Sequence, residues 1–260
     1  SWSAVHQFAE ALFWVFGGGL LALNALVSDW LGQGLLPDLV FLGAFALIHA
    51  LLQAPVSLYA TFGVEARHGF NKTRVGLWVS DQIKGMAIGL VLGLPILATL
   101  LQLMAQGGPH WWVWAWVIWM AFQLLLMVIA PRFLLPLFNS FKPFEDQEIR
   151  PKAEALMQAV GFKAKDFQVM DASRRSAHSN AFFTGLGTEK RVIFFDTLVD
   201  KLNAGEVIAV LAHELGHFKL RHIFWMIVTQ AFMSALFLYA IHLLRIDASW
   251  LLTLGLQSST

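Results

Sequence analysis

The chain has 260 residues, 57% of them hydrophobic and only 13% charged, with a mean hydropathy of +0.62. A water-soluble domain carries roughly 25% charged residues, so this composition excludes one. The net charge of +1 gives no overall attraction for nucleic acid, and the absence of cysteine removes disulfides, thiolate nucleophiles and Cys-ligated metals, leaving His and carboxylates as ligands for any metal.

Crossing a hydrocarbon core of about 30 Å takes roughly 20 apolar residues in a helix. Four stretches before residue 132 meet that length: Phe8 to Trp30, Leu36 to Phe62, Ile83 to Gln106 and Trp111 to Ala130. Gly17-Gly18-Gly19 in the first invites close helix packing, and Pro55 and Pro95 inside spans predict kinks rather than ends. A fifth span runs from Ile223 to Leu244, and Trp250 to Leu256 reads as the first turns of a sixth. With no initiating methionine and this unfinished run at the end, the chain reads as a piece of a longer multi-pass membrane protein.

Of the 18 Lys and Arg residues, Arg67, Lys72, Arg74 and Lys84 follow the second span, 13 lie between Arg132 and Arg221, and Arg245 stands on the opposite side. The positive-inside rule therefore makes the 63–82 loop and the 132–222 segment cytoplasmic. The expected organisation is four spans over 1–131, a small cytoplasmic α+β segment over 132–222, and a span plus the start of another over 223–260. Within the hydrophilic segment, Glu145 to Val160 has helical spacing, with acids in its first turn and Gly161 as C-cap. Phe167 to Met170 and Arg191 to Phe195 have the length and residue content of short strands. Asn203 is placed to N-cap a helix from Ala204 to Phe218 that runs almost directly into the fifth span.

That helix carries His213-Glu214-Leu215-Gly216-His217, an HExxH pattern. Residues four apart share a helical face, so both imidazoles reach one zinc ion while Glu214 projects toward the attacking water. Zinc supplies Lewis acidity, and the glutamate takes the water proton and delivers it to the leaving amine. At this His and Glu content the pattern is expected by chance roughly 0.01 times in such a chain, against the plain reading of two surface histidines. A third protein ligand is needed. After His217 the sequence has one acid, Asp247, which follows a complete span and so lies across the bilayer. In the HExxHxxGxxH register Leu220 and Ile223 take the glycine and histidine positions, and His222 is one residue off, which suits a supporting histidine behind the ligands. The third ligand is expected to be a Glu beyond residue 260.

The run Ala209-Val210-Leu211-Ala212-His213-Glu214-Leu215-Gly216-His217-Phe218-Lys219-Leu220-Arg221-His222 resembles the zinc helix of the integral-membrane type 1 CAAX prenyl proteases. Ser173-Arg174-Arg175-Ser176-Ala177-His178-Ser179-Asn180-Ala181-Phe182-Phe183 and the block from Ser57 to Asn71, with Glu65 and Gly69-Phe70-Asn71, are similar to the same family. Pro136-Leu137-Phe138-Asn139 and Arg191 to Leu198 keep the intervening order. The resemblance implies a multi-span bundle around a large chamber with an inward-facing zinc site, and cleavage near the C-terminus of prenylated proteins. It also places Asn180 beside the metal, oriented to substrate or oxyanion. The family often has a second acid where Ala66 stands, and its first span, glutamate ligand and a later histidine have no counterpart in this chain.

Other residues have plainer readings. His178 and Asn180 alone are turn residues before an apolar strand. Arg174-Arg175 suits a substrate carboxylate or, more simply, a solvated or lipid-facing anchor. Trp111, Trp112, Trp114, Trp116 and Trp119 form an interfacial aromatic belt. His49, inside a span, is either a functional group or a neutral histidine bonded to a backbone carbonyl. The leading expectation is a membrane zinc endopeptidase in the bacterial inner or endoplasmic reticulum membrane, acting on peptide or protein substrates and not on nucleic acid. The alternatives are a quality-control protease of the heat-shock type and a non-catalytic scaffold with a vestigial HExxH.

Overall fold

The structure is a computed structural model in which residues 2–184 and 190–246 are described. The runs expected at Asp247 and at Trp250 to Leu256 lie outside the described residues. Among the described residues, four helical stretches are long and apolar enough to cross a membrane: Leu35–Glu65, Val75–Gln106, Gly108–Phe138 and His222–Ile246. A bent helix pair near the N-terminus makes up to five. The protein is thus mainly helical and multi-pass, with one small sheet. Its residues form two compact units, one drawn from Ser1–Ala60, Met86–Ile118 and Met233–Thr260, the other from Thr61–Gly85 and Trp119–Phe232.

In the first unit, the expected continuous span from Phe8 to Trp30 is instead α1 (Trp2–Val15) and α2 (Gly19–Leu31), bent by 52°. The glycine run is the cause. Gly18 takes φ +78°, a Cβ on Gly17 would lie 2.7 Å from the Phe13 carbonyl oxygen, and one on Gly19 would lie 2.8 Å from the Phe13 and Trp14 rings. Close packing does occur here, between α1 rings and the start of α2. Trp14, Leu23 and Val27 then form a core with Phe41, Phe45 and Ile48 of α3 (Leu35–Leu58), and Trp14 meets Phe45 edge-on at 4.7 Å.

His49 does not bond a backbone carbonyl. Its Nδ1 lies 2.7 Å from Oε1 of the buried Glu10, which also accepts from Gln53 Nε2 (2.9 Å) and Trp14 Nε1 (3.4 Å). Water cannot solvate a carboxylate at this depth, so donors from α3 and α1 do so and tie the two helices together. Nothing in the local pattern pointed to this pairing, because the two α3 partners of Glu10 are 39 and 43 residues away.

The expected aromatic belt is split between two environments. Trp111, on α5 (Trp111–Ile129), is 2% exposed, with His242 edge-on at 6.3 Å and the Arg245 guanidinium 6.0 Å from its ring. Trp112 packs on Tyr239 of α10 (His222–Ile246) at 5.1 Å, whereas Trp114 remains 59% exposed. Arg245 also donates to the Met104 carbonyl at the end of α4 (Val75–Gln106).

The second unit holds a four-stranded sheet in the order β1-β2-β4-β3. β1 (Phe141–Pro143) pairs antiparallel with β2 (Asp166–Met170), which runs parallel to β4 (Arg191–Phe195), and β3 (Ala181–Thr184) is antiparallel to β4. The short α6 (Leu135–Phe138) precedes β1, and the short α8 (Asp196–Lys201) follows β4. Sequence periodicity missed β1, whose Pro143 suits only an edge strand. Alternation along β4 sends Val192 and Phe194, with Phe167 of β2, toward α7 (Ile149–Ala159) and α9 (Ala204–Lys219). Ile193 and Met170 face the other way, with Phe141 and Phe182.

The helix α7 starts four residues later than expected. Asp146 Oδ1 accepts the Glu148 and Ile149 N–H groups, so the acids precede the first turn instead of filling it. Its end is as expected: Gly161 at φ +71° lets Phe162 N–H reach the Met157 carbonyl and Gly161 N–H the Gln158 carbonyl. The helix α4 begins eight residues before the expected Ile83, and the added turns carry Asp81, which has a partner outside the membrane segment.

Candidate metal centre

The helix α9 begins with a full capping box. Asn203 Oδ1 accepts from Glu206 N–H at 3.1 Å, and Glu206 Oε2 accepts from Asn203 N–H at 2.9 Å. Val207, Leu211 and Leu215, four residues apart, are essentially fully buried against the sheet. That anchored stripe turns His213 and His217 outward on another face, with Glu214 half-buried between. Ligand atoms of His213, Glu214 and His217 lie within 4.8 Å of one another, and no other such His or carboxylate group occurs among the described residues. Two imidazoles and a carboxylate on an exposed face form a donor set that suits zinc, with coordination positions left for other ligands.

α9 ends at Lys219, and Arg221, at φ 54°, turns the chain into α10. This turn returns His222 to the site, with its Nδ1 2.6 Å from Nδ1 of His217. When His217 Nδ1–H donates to His222, the lone pair on His217 Nε2 is free for an ion.

β3 packs against α9 and is, with β1, one of the sheet's two edge strands. Asn180 immediately precedes it. The Asn180 side-chain oxygen accepts from Ala181 N–H at 2.8 Å and its carbonyl accepts from Phe195 N–H, while among the described residues no hydrogen bond joins it to the histidines. His178 lies with its ring stacked on Phe70 at 4.4 Å, and its carbonyl accepts from Thr197 Oγ1 at 2.7 Å.

Arg174 and Arg175 are not a free basic pair. Arg174 Nη1 bonds Asp171 Oδ2 at 3.1 Å. Arg175 makes a two-pronged bond to Asp81, at 2.8 and 3.0 Å, and donates to Asn139 Oδ1 at 3.1 Å. Its carbonyl accepts from Lys72 N–H and from Thr73 Oγ1, and Ala177 N–H donates to the Phe70 carbonyl. Asp81 and Asn139 therefore converge on the Arg175 guanidinium, while the block around residues 70–73 is tied to the backbone of Arg175 and Ala177. The one available signal was Asp81 itself, the single acid between Glu65 and Glu145.

A sheet backed by a helix bearing His-Glu-x-x-His, in a chain with several bilayer-length helices, defines an integral-membrane metallopeptidase architecture. The chain belongs to peptidase family M48. Residues 143–253 match the profile of that family, and residues 1–140 match its companion described as CAAX prenyl protease N-terminal, five membrane helices. The CAAX prenyl protease 1 homolog of Arabidopsis thaliana is 36% identical over 232 residues, covering 84% of this chain and 54% of that protein. CAAX prenyl protease 1 of Saccharomyces cerevisiae is 41% identical over 192 residues, covering 74% and 42%, and the Homo sapiens homolog is 30% identical over 286 residues, covering 92% and 60%. The crystal structure of S. mikatae Ste24p is similar with a TM-score of 0.91 at 32% identity, over 100% of this chain and 62% of that one. The chain spans about half the length of the curated relatives it matches.

Proposed function

We propose that this chain carries the catalytic centre of an integral-membrane zinc endopeptidase that cleaves near the C-terminus of prenylated CAAX-type proteins. The observation that carries the reading is the convergence of His213, Glu214 and His217 on the face of α9 that its buried stripe turns outward. His213 and His217 hold zinc, and a glutamate from the part of the relatives' length that this chain does not span completes the set. Zinc bound there supplies Lewis acidity toward the scissile carbonyl and the attacking water. Glu214 takes the water's proton and returns it to the departing amine. β3 offers an outer strand edge beside α9, where an extended peptide can pair. The excess of Lys and Arg in 132–222 supports a cytoplasmic location for this centre. The prenylated substrate class rests on the names of the relatives.

The test is cleavage of a farnesylated C-terminal peptide by the enzyme carrying this chain, read by product mass. His213→Ala should abolish both cleavage and stoichiometric zinc. Full zinc in that variant would overturn the metal assignment, and cleavage of the unprenylated peptide alone would overturn the substrate class.

Two further residues are assigned by position. The Asn180 side-chain oxygen is taken by Ala181 N–H, so its amide hydrogens remain to donate to a developing oxyanion. Asn180→Ala should lower kcat by about 10²- to 10³-fold with zinc retained. A loss of about 1 kcal/mol in stability with nearly unchanged kcat would leave it only a turn residue. His222→Ala should weaken zinc binding by about 10- to 100-fold in a chelator competition, with His222→Asn recovering part of it through an accepting oxygen. Equal affinity in both variants would remove His222 from the support of His217.

A further inference from the structure

The sheet face turned away from α7 and α9 borders a cavity of about 420 Å³. Val128, Pro131 and Arg132, where α5 passes into the wider turn Ala130–Leu134, line one side, and Phe141, Thr184 and Arg191 of the sheet line the other. Two guanidiniums thus border one small space. Of the other arginines of this unit, Arg150 pairs with Glu154, Arg174 with Asp171 and Arg175 with Asp81, whereas Arg67, Arg74 and Arg221 make no ion pair among the described residues but do not line this cavity. Among the described residues neither Arg132 nor Arg191 has a carboxylate within ion-pair distance, and the Arg132 guanidinium lies 5.7 Å from the centre of the Phe133 ring. Nor are the two amides lining the cavity free to serve the pair. Asn139 is held by Arg175 and the Leu135 carbonyl, and Gln168 donates to Asp166. Asp166 is the cross-strand neighbour of Arg191, but its carboxylate accepts from Phe167 N–H and Gln168 Nε2 and does not pair with the guanidinium. Two forked donors without a close carboxylate therefore favour an anion from outside and, with the Thr184 hydroxyl, suit phosphate oxygens.

The cavity also continues the apolar surface of a membrane span. Leu124, Leu125 and Val128 are 45%, 53% and 51% exposed, and their spacing of three and four places them in one stripe ending at the cavity's edge. A soluble phosphate would use only the arginines. A phospholipid would use both features, headgroup in the cavity and acyl chain along the stripe, at the level where basic side chains meet anionic lipid. We propose that this cavity is a binding site for the phosphate headgroup of an anionic phospholipid, held by Arg132, Arg191 and Thr184.

The test is native mass spectrometry of the protein released from detergent micelles doped with phosphatidylglycerol or phosphatidylcholine. Phosphatidylglycerol should be retained in preference, and millimolar inorganic phosphate should not displace it. Arg132→Gln should weaken retention about fivefold, and the double variant with Arg191→Gln about 25-fold, from the usual contribution of one basic residue near an anionic surface. Arg132 is exposed in the turn, so its single variant keeps the fold, which an unchanged unfolding midpoint confirms. The paired Arg→Lys variant keeps the charge and loses the fork, and should fall between wild type and the double Gln variant. Equal retention of phosphatidylcholine, or unchanged retention in the double variant, would overturn the site. Displacement by inorganic phosphate would overturn its assignment to lipid.

Discussion

Glu214→Gln should leave stoichiometric zinc in place and reduce turnover by about 10²- to 10⁴-fold, the range that a positioned general base supplies. The amide has the shape of the carboxylate but does not accept the water proton at neutral pH. The fold gives this variant little else to disturb. Glu214 is half-buried beside the fully packed Leu215, and the helix is held by Val207, Leu211, Leu215 and its capping box, none of which changes. Zinc content, unfolding midpoint and kcat measured on one preparation decide the matter. Loss of zinc with the rate would make Glu214 a ligand, consistent with its place in the same 4.8 Å group, and an unchanged rate would remove it from the chemistry altogether.

The second large effect is expected far from the metal. Arg175 and Asp81 are each about a fifth exposed and make a two-pronged bond across 94 residues of sequence. Removing one partner of a fully buried pair costs about 3–5 kcal/mol. With the residual exposure, Arg175→Ala should cost about 2–3 kcal/mol, because Asp81 and Asn139 lose their shared donor and the strand-like contact between Asn71 and Ser176 loosens. Asp81→Asn and Arg175→Gln, singly and together, should show a coupling of about 1–2 kcal/mol in unfolding midpoints. Strict additivity would show that the pair is only a surface contact and that these segments are held together by other means.

Helices with local rules were legible in the sequence. The N-cap at Asn203, the Gly161 terminus of α7, the β4 strand and the long apolar spans all depend on neighbours within a few residues, and periodicity and cap chemistry report those neighbours directly. His213, Glu214 and His217 belong to the same class, since a 3.6-residue repeat by itself brings them to one side of a helix. The bend at Gly17 and Gly18 was half legible: the glycines signalled close packing, but the 52° turn required the Phe13 and Trp14 rings to be in place.

What only the tertiary structure decided is how distant polar groups satisfy one another. Glu10 had no legible partner until His49 and Gln53 came beside it, and Arg175 read as a solvated cation until Asp81, Asn139 and the chain around Thr73 closed on it. His222, out of register for a zinc ligand along a straight helix, reaches His217 because Arg221 turns the backbone between two helices. A single sequence specifies the charge and hydrogen-bonding capacity of each side chain, but the partner is chosen by which chain segments pack together. Burial away from water is what makes that choice energetically strict.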